Sequence, residues 1–244
     1  MIAQPATPAT PATPATPATP ATPATPASRL PAGSSLPAES SLPPVDTLLV
    51  VDVQSAFVTG EGAVPDAARL VDRTAGLIAR ARAAGALVVH LQNDGPPGAE
   101  DEPHTPGWEL HHAVEPGPTE LVIRKPYDDG FEETALGAVL DGHGSRAVAV
   151  CGVMSEMCVR ATARTALDRG HRVVVPYDGH ATQDCPAVPG VADAVPAAVV
   201  SRVAAYSLGS DAEVTDPAAA VSFTAPSRPA APAPSASRVR GSAT

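Results

Sequence analysis

The sequence predicts an α/β fold: an open, mostly parallel β-sheet flanked by helices, carried by the middle of the chain, with disordered Pro-rich termini. Three observations predict it. Short aliphatic runs alternate with helix-period stripes between residues 46 and 216, the pattern of βαβ units. Prolines crowd the ends, with 12 of the 29 before residue 46 and 5 after residue 216. Residues of reactive type follow closely on three aliphatic runs, where open parallel sheets bind their ligands.

Residues 47–51 are a continuous aliphatic run, read as a strand buried on both faces. Behind it, Ala67, Leu70, Val71, Thr74, Leu77, Ile78 and Ala81 recur at helical spacing, and Gly85 supplies the stop. Residues 86–91 make a second strand and 120–123 a third. Residues 134–140 read as a helix with Leu136, Val139 and Leu140 inward. A fourth strand covers 146–150, and the helix after it runs from about residue 156 to 169, closed by Gly170. The fifth strand spans 172–175, and 195–206 has the pattern of a last helix. The stretch 92–119 is long for a connection, and long loops in such folds often shape the site.

At the amino end, Pro-Ala-Thr repeats from Pro5 to about Thr25. A proline every third residue forbids helix and central strand and favours extended, solvated chain. The period is too short for a solenoid unit and has no glycine register for collagen. Residues 1–45 are thus expected to be a disordered leader and 46–216 the folded domain. Residues 217–244 are expected to be a disordered tail carrying Arg228, Arg238 and Arg240.

The 244 residues include 16 basic and 26 acidic side chains, a formal charge of -10, and residues 46–216 alone carry -13. That balance disfavours nucleic acid as a partner, because phosphate binding needs a basic face. A hydrophobic share of 44% is enough to fill a core. No apolar run approaches the roughly 20 residues of a membrane helix, so no membrane partner is expected. Residues 1–27 lack the basic start and apolar stretch of a secretory signal. Three widely spaced cysteines are too few for a disulfide framework or a multi-thiolate zinc site. The expectation is a soluble, cytoplasmic protein.

Asp52 directly follows the first strand, and Lys125 follows the third. Cys158 lies just past the Gly152 turn that leaves the fourth. An acid, an amine and a thiol at three strand ends form a catalytic set. Lys125 is the only lysine, against 15 arginines. A compact ammonium differs from a guanidinium in reach and hydrogen-bond geometry, although a lone strand-end lysine can also simply lay its stem on apolar surface. Free cysteine usually only packs, which is the reading for Cys151 and Cys185. Cys158 differs in position: Ser155 can cap the helix, so the dipole and a nearby ammonium would favour thiolate. Backbone N–H groups at such a turn can hold an oxyanion. Asp52 can take the thiol proton and return a proton to a leaving amine.

The segments Val51-Asp52-Val53-Gln54, Arg124-Lys125-Pro126 and Gly152-Val153-Met154-Ser155-Glu156-Met157-Cys158-Val159 resemble the three motifs of the isochorismatase-like cysteine hydrolases. The resemblance covers residues 46–208 and includes Thr134 and Tyr177-Asp178. It implies the isochorismatase-like hydrolase fold and hydrolysis of amides and related C–N bonds by an Asp52–Lys125–Cys158 triad. It further implies a cis peptide at Val153–Met154, an oxyanion hole made by the Met154 and Cys158 amides, no cofactor, and a homodimer or homotetramer.

Nicotinamidases of this family hold a metal on an aspartate and histidines after the second strand. Here that region reads His90-Leu91-Gln92-Asn93-Asp94-Gly95-Pro96-Pro97, without the Asp-x-His pattern, and His104, His111 and His112 lie further along. No metal site is expected. Gln92 to Gly95, the Thr105-Pro106-Gly107-Trp108-Glu109-Leu110 loop and the Cys158 segment are similar to family members that open the streptolidine lactam, a cyclic amide, of streptothricin-type antibiotics. On that resemblance, Gln92, Asn93, Trp108 and Glu156 are expected to bind substrate. Such an antibiotic is polycationic, and a domain at -13 would attract it. Asp94, Glu100, Asp101, Glu102, Asp128 and Asp129 are the loop acids that could do so, although solvated loop charges look the same in sequence. Three other readings stay open: an amidase of a small metabolite amide, like nicotinamidase or ureidoacrylate amidohydrolase; a non-catalytic binding partner; and a functional role for the proline-rich leader.

Overall fold

The computed structural model describes residues 42–214 and 217–227. The expected disorder of residues 1–41 and 228–244 lies outside the described residues. Among the described residues there is one sheet, built from β1 (Thr47–Val51), β2 (Leu87–Asn93), β3 (Glu120–Lys125), β4 (Ala147–Gly152), β5 (Arg172–Val174) and β6 (Ala212–Glu213). The order is β3-β2-β1-β4-β5-β6, and every neighbouring pair is parallel. Chain order reverses direction between β1 and β4. A crevice opens beyond the carboxyl ends of strands at such a point.

The unbroken aliphatic runs of β1 and β4 exist because both faces are covered. Alternate side chains go to opposite faces. Leu48 and Val50 pack with Leu70, Leu77, Ile78 and Ala81 of α2 (Ala67–Ala83) on one side. Leu49 and Val51 pack on the other with Leu136 and Leu140 of α3 (Leu136–His143) and with Ala163 and Ala166 of α4 (Arg160–Asp168). At the exit of β4 the backbones nearly touch: Gly152 has φ 121°, and a Cβ there would sit 1.9 Å from the Val51 carbonyl oxygen. Only glycine admits that approach.

The expected strands and helices form, with four differences. A short helix, α1 (Ser55–Val58), fills part of the link after β1. The segment expected as one helix from residue 156 opens instead as a distorted turn, Ser155–Val159, in which Met157 is non-helical (φ -107°, ψ -105°). β6 adds a sixth strand only two residues long, too short for any periodic signal. It follows α5 (Ala197–Tyr206).

The fourth difference moves the domain boundaries drawn at residues 45 and 216. Val45 is buried, its N–H donates to Ser222 O at 3.0 Å, and its carbonyl accepts from Thr224 N at 2.9 Å. Ala218 and Val221 enter the α2-side core. The segment therefore belongs to the folded unit through residue 224. Composition hid this, because two buried apolar side chains barely change a Pro- and Ala-rich average. No helix among the described residues is long and apolar enough to cross a membrane.

A chain ended at residue 216 should lose about 2–4 kcal/mol of stability, from the burial of Ala218 and Val221 and the backbone pairing of Val45. Urea unfolding measures it, and an unchanged midpoint would mean that the segment does not hold the core.

Candidate active site

Each of the three reactive side chains is delivered by local strand geometry. Asp52 leaves β1 with φ 50°, a left-handed conformation that aspartate tolerates, and its N–H donates to Leu91 O at 3.0 Å. Along edge strand β3, Ile123 and Lys125 are buried while Val122 and Arg124 are exposed. The period of two thus turns the lysine inward toward the α3–α4 face. Cys158 sits in the distorted turn after β4 and joins that same core.

These groups meet. Lys125 Nζ lies 2.8 Å from Asp52 Oδ2 and donates to Cys158 Sγ at 3.3 Å. Exposure is 2% for Asp52, 0% for Lys125 and 8% for Cys158. The ammonium also donates to Asn93 Oδ1 at 3.2 Å and to Tyr127 O at 3.1 Å. Asp52 Oδ1 has no hydrogen-bond partner among the described residues, so one carboxylate oxygen remains for a proton.

Burial pushes the Asp52 carboxyl up to about 6, against the pull of Lys125, and Asp101 adds to the rise. Burial and the Asp52 charge push the Cys158 thiol up, more than Lys125 lowers it. Burial alone would lower Lys125, but Asp52 and Cys158 together outweigh it and raise it. Burial thus works against the thiolate that the helix start and the ammonium were expected to favour. Ser155 does not cap the turn either; its hydroxyl pairs with His180 Nδ1 at 2.8 Å and Ser201 Oγ at 2.9 Å. Moving the thiol proton to Asp52 would remove one of the two carboxylate charges that oppose thiolate, Asp128 carrying the other, and leave the ammonium beside the sulfur.

Around the triad, Asn93 has a positioning place. Its Nδ2 donates to buried Asp101 at 2.7 Å, and Gln54 holds both its backbone N–H and its carbonyl. Gly95 leaves room for this acid, since a Cβ there would lie 2.1 Å from Asp101 Oδ1. Asp101 was visible in the sequence only as a loop charge. Gln92, expected to bind substrate, is buried and donates to Trp108 O at 3.0 Å, which anchors the loop. Trp108 is half-buried, donates to Asp94 Oδ1 at 2.9 Å and lies under the Arg124 guanidinium at 5.0 Å. Glu156 is exposed and accepts from Thr182 Oγ1 at 2.9 Å.

The Val153–Met154 peptide is cis. Met154 O accepts from the Met157 and Val159 amides at 3.1 and 3.2 Å, which fastens the turn carrying Cys158. A cavity of about 1280 Å³ lies between α5, the start of α2 and the 177–184 segment. His180, Thr182 and Ser201 line it, but none of the triad does, so the chemistry is placed at the sulfur and not in that cavity. Among the described residues no His, Cys, Asp or Glu group is arranged for a metal. His104 leans on Trp108, and His112 pairs with Thr74 at 2.7 Å.

An isochorismatase-domain family model matches residues 46–188. Two streptothricin hydrolases of Streptomyces noursei are similar to this chain. One is 67% identical over 189 residues, covering 78% of this chain and 68% of its own length. The other is 65% identical over 183 residues, covering 75% and 73%. The crystal structure of an isochorismatase from Pseudomonas putida KT2440 matches with a TM-score of 0.65 at 28% identity, over 74% of this chain and 93% of that one.

Replacing Lys125 by Met strands the Asp52 charge. Without the ammonium, the folded carboxyl lies above about 6, while the unfolded value stays near 3.8. Between those values the native state binds more protons than the unfolded state, so stability falls as pH rises. The variant should lose about 3 kcal/mol at pH 8 and clearly less at pH 5. Urea unfolding at both pH values tests this; equal losses would contradict the buried pair.

Proposed function

The chain belongs to the isochorismatase family, and we propose that it is a cysteine-dependent amide hydrolase that opens the cyclic amide of streptothricin-type antibiotics through a thioester. The observation that carries the chemistry is the ammonium of Lys125, 2.8 Å from Asp52 and 3.3 Å from the Cys158 sulfur. The substrate rests on 67% identity to the streptothricin hydrolase of Streptomyces noursei.

In this reading Asp52 accepts the Cys158 proton as the sulfur attacks the lactam carbonyl. The Met154 and Cys158 amides receive the oxyanion. Asp52 then gives its proton to the departing ring nitrogen, which stays attached to the same molecule because a ring has been opened. A water enters and Asp52 deprotonates it. The resulting hydroxide attacks the thioester and the C–S bond breaks; Asp52 returns its proton to the departing sulfur, and the product acid loses its own proton to solvent and leaves as a carboxylate. Lys125 holds Asp52 in place and offsets negative charge at the sulfur, and Asn93 holds Lys125. A bound cofactor has no step to perform.

Cytoplasmic placement is part of the reading, supported by three free cysteines. So is a homodimer or homotetramer: α5 presents Val199, Val203 and Tyr206 to solvent at helical spacing.

Incubation with streptothricin should give a product heavier by one water, without ammonia, by mass spectrometry. Cys158→Ser should reduce the rate by at least about 10³-fold. Ammonia release from a small amide instead would favour a metabolite amidase. Because Asp52 must be unprotonated to accept the thiol proton, kcat/KM should fall tenfold per pH unit below about 6. A rate–pH profile flat from pH 5 to 7 would remove Asp52 as the base.

A further inference from the structure

Most of the loop acids near the site are already engaged. Asp94 is bound by Arg124 and by the Trp108 indole N–H. Asp101 is buried on Asn93, and Glu102 accepts from Gly98 N. Asp129 accepts from Thr165 and from Phe131 N. Asp128 differs. It is exposed, and its Oδ1 lies 3.6 Å from Cys158 Sγ, within reach of the thiol proton. Its position is set by the same lysine that organises the triad, because Lys125 Nζ binds the carbonyl of the preceding Tyr127. Gly130 N, held by Thr162 Oγ1 at 2.9 Å, fixes the chain on the other side.

The charge balance at the sulfur then leaves one sign. Asp52 and Lys125 cancel as a buried pair. The nearby Arg124 is occupied by Asp94 and by the Trp108 face. Asp128 remains as a negative charge open to solvent at the nucleophile. A carbonyl carbon in attack position sits about 3–3.5 Å from the sulfur. A positive group a few bonds from that carbon therefore falls within ion-pair distance of Asp128, and binding would exclude water from the pair and strengthen it.

We propose that Asp128 determines specificity at this site: its carboxylate receives a positive charge carried beside the scissile carbonyl, selecting amides with an adjacent protonated amine or guanidinium. This rests on the hydrolase reading above and names the substrate class that the site prefers. The thiol contact with Asp128 is given up when the carbonyl takes its place, and the cation then occupies the carboxylate.

The test has a substrate-free arm and a substrate arm. Cys185→Ser removes the exposed thiol, and of the two that remain Cys151 is 0% and Cys158 8% exposed, which leaves Cys158 as the one a reagent reaches. In that background, Cys158 labelling by trimethylammonioethyl and sulfonatoethyl methanethiosulfonate is followed by mass spectrometry, with iodoacetamide as the neutral reagent. Asp128→Asn should lower the cation-to-anion rate ratio about tenfold and leave the iodoacetamide rate within about twofold, while Asp128→Glu keeps the ratio. With streptothricin, Asp128→Asn should raise KM about tenfold and change kcat less than about threefold. An unchanged ratio overturns the proposal. Equal slowing with all three reagents also overturns it, making Asp128 a proton acceptor for the thiol. An Asp128-dependent ratio without streptothricin hydrolysis by the parent enzyme would uphold cation selection and sink the substrate assignment.

Discussion

The buried ion pair between Lys125 and Asp52 is the constraint on which the rest depends. Each charge taken from water costs several kcal/mol, and mutual attraction offsets that only when the remaining hydrogen-bonding capacity is satisfied. The ammonium meets this condition through Asn93 Oδ1, Tyr127 O and Cys158 Sγ. The surrounding architecture follows from the requirement. β1 and β3 bring the two charges together from opposite sides of β2, Gln54 clamps the Asn93 backbone, and Asp101 holds the Asn93 amide.

The pair leaves the sulfur in a poised state. Burial first and the Asp52 carboxylate second oppose ionisation of the thiol. In the proposed mechanism, proton transfer to Asp52 removes that carboxylate's charge while the ammonium stays, and Asp128 keeps its own beside the sulfur. On that proposal one relocation of a proton creates the nucleophile and leaves a cation beside it. The distorted Ser155–Val159 turn serves the same end by aiming the sulfur at the pair while Ser155 is tied to His180 and Ser201.

The strands β1 to β5 and the helices behind them were legible because hydrophobic period is a local property of the chain. The triad was legible for a related reason: its members follow strands closely, and parallel strands put those positions on one edge. Gln92 and Ser155 show what strand-end position does not supply, the partner of a side chain. Both are polar and near the site, yet Gln92 turns to the Trp108 carbonyl and Ser155 to His180. Asp101 shows the converse, a loop acid that proves to be buried beside the catalytic pair. The folded role of residues 217–224 was hidden in a proline- and alanine-rich average.

By itself the sequence determined the sheet-and-helix architecture, the direction of the strands and the identity of the acid, amine and thiol. These follow from spacing along the chain and from residue chemistry. Only the tertiary structure decided the burial of the thiol, the support of Lys125 by Asn93 and Asp101, and which loop acid stays open at the sulfur. Each of those depends on burial and on hydrogen bonds between residues tens of positions apart. Dielectric environment and long-range contact are properties of the packed chain, and no local pattern encodes them.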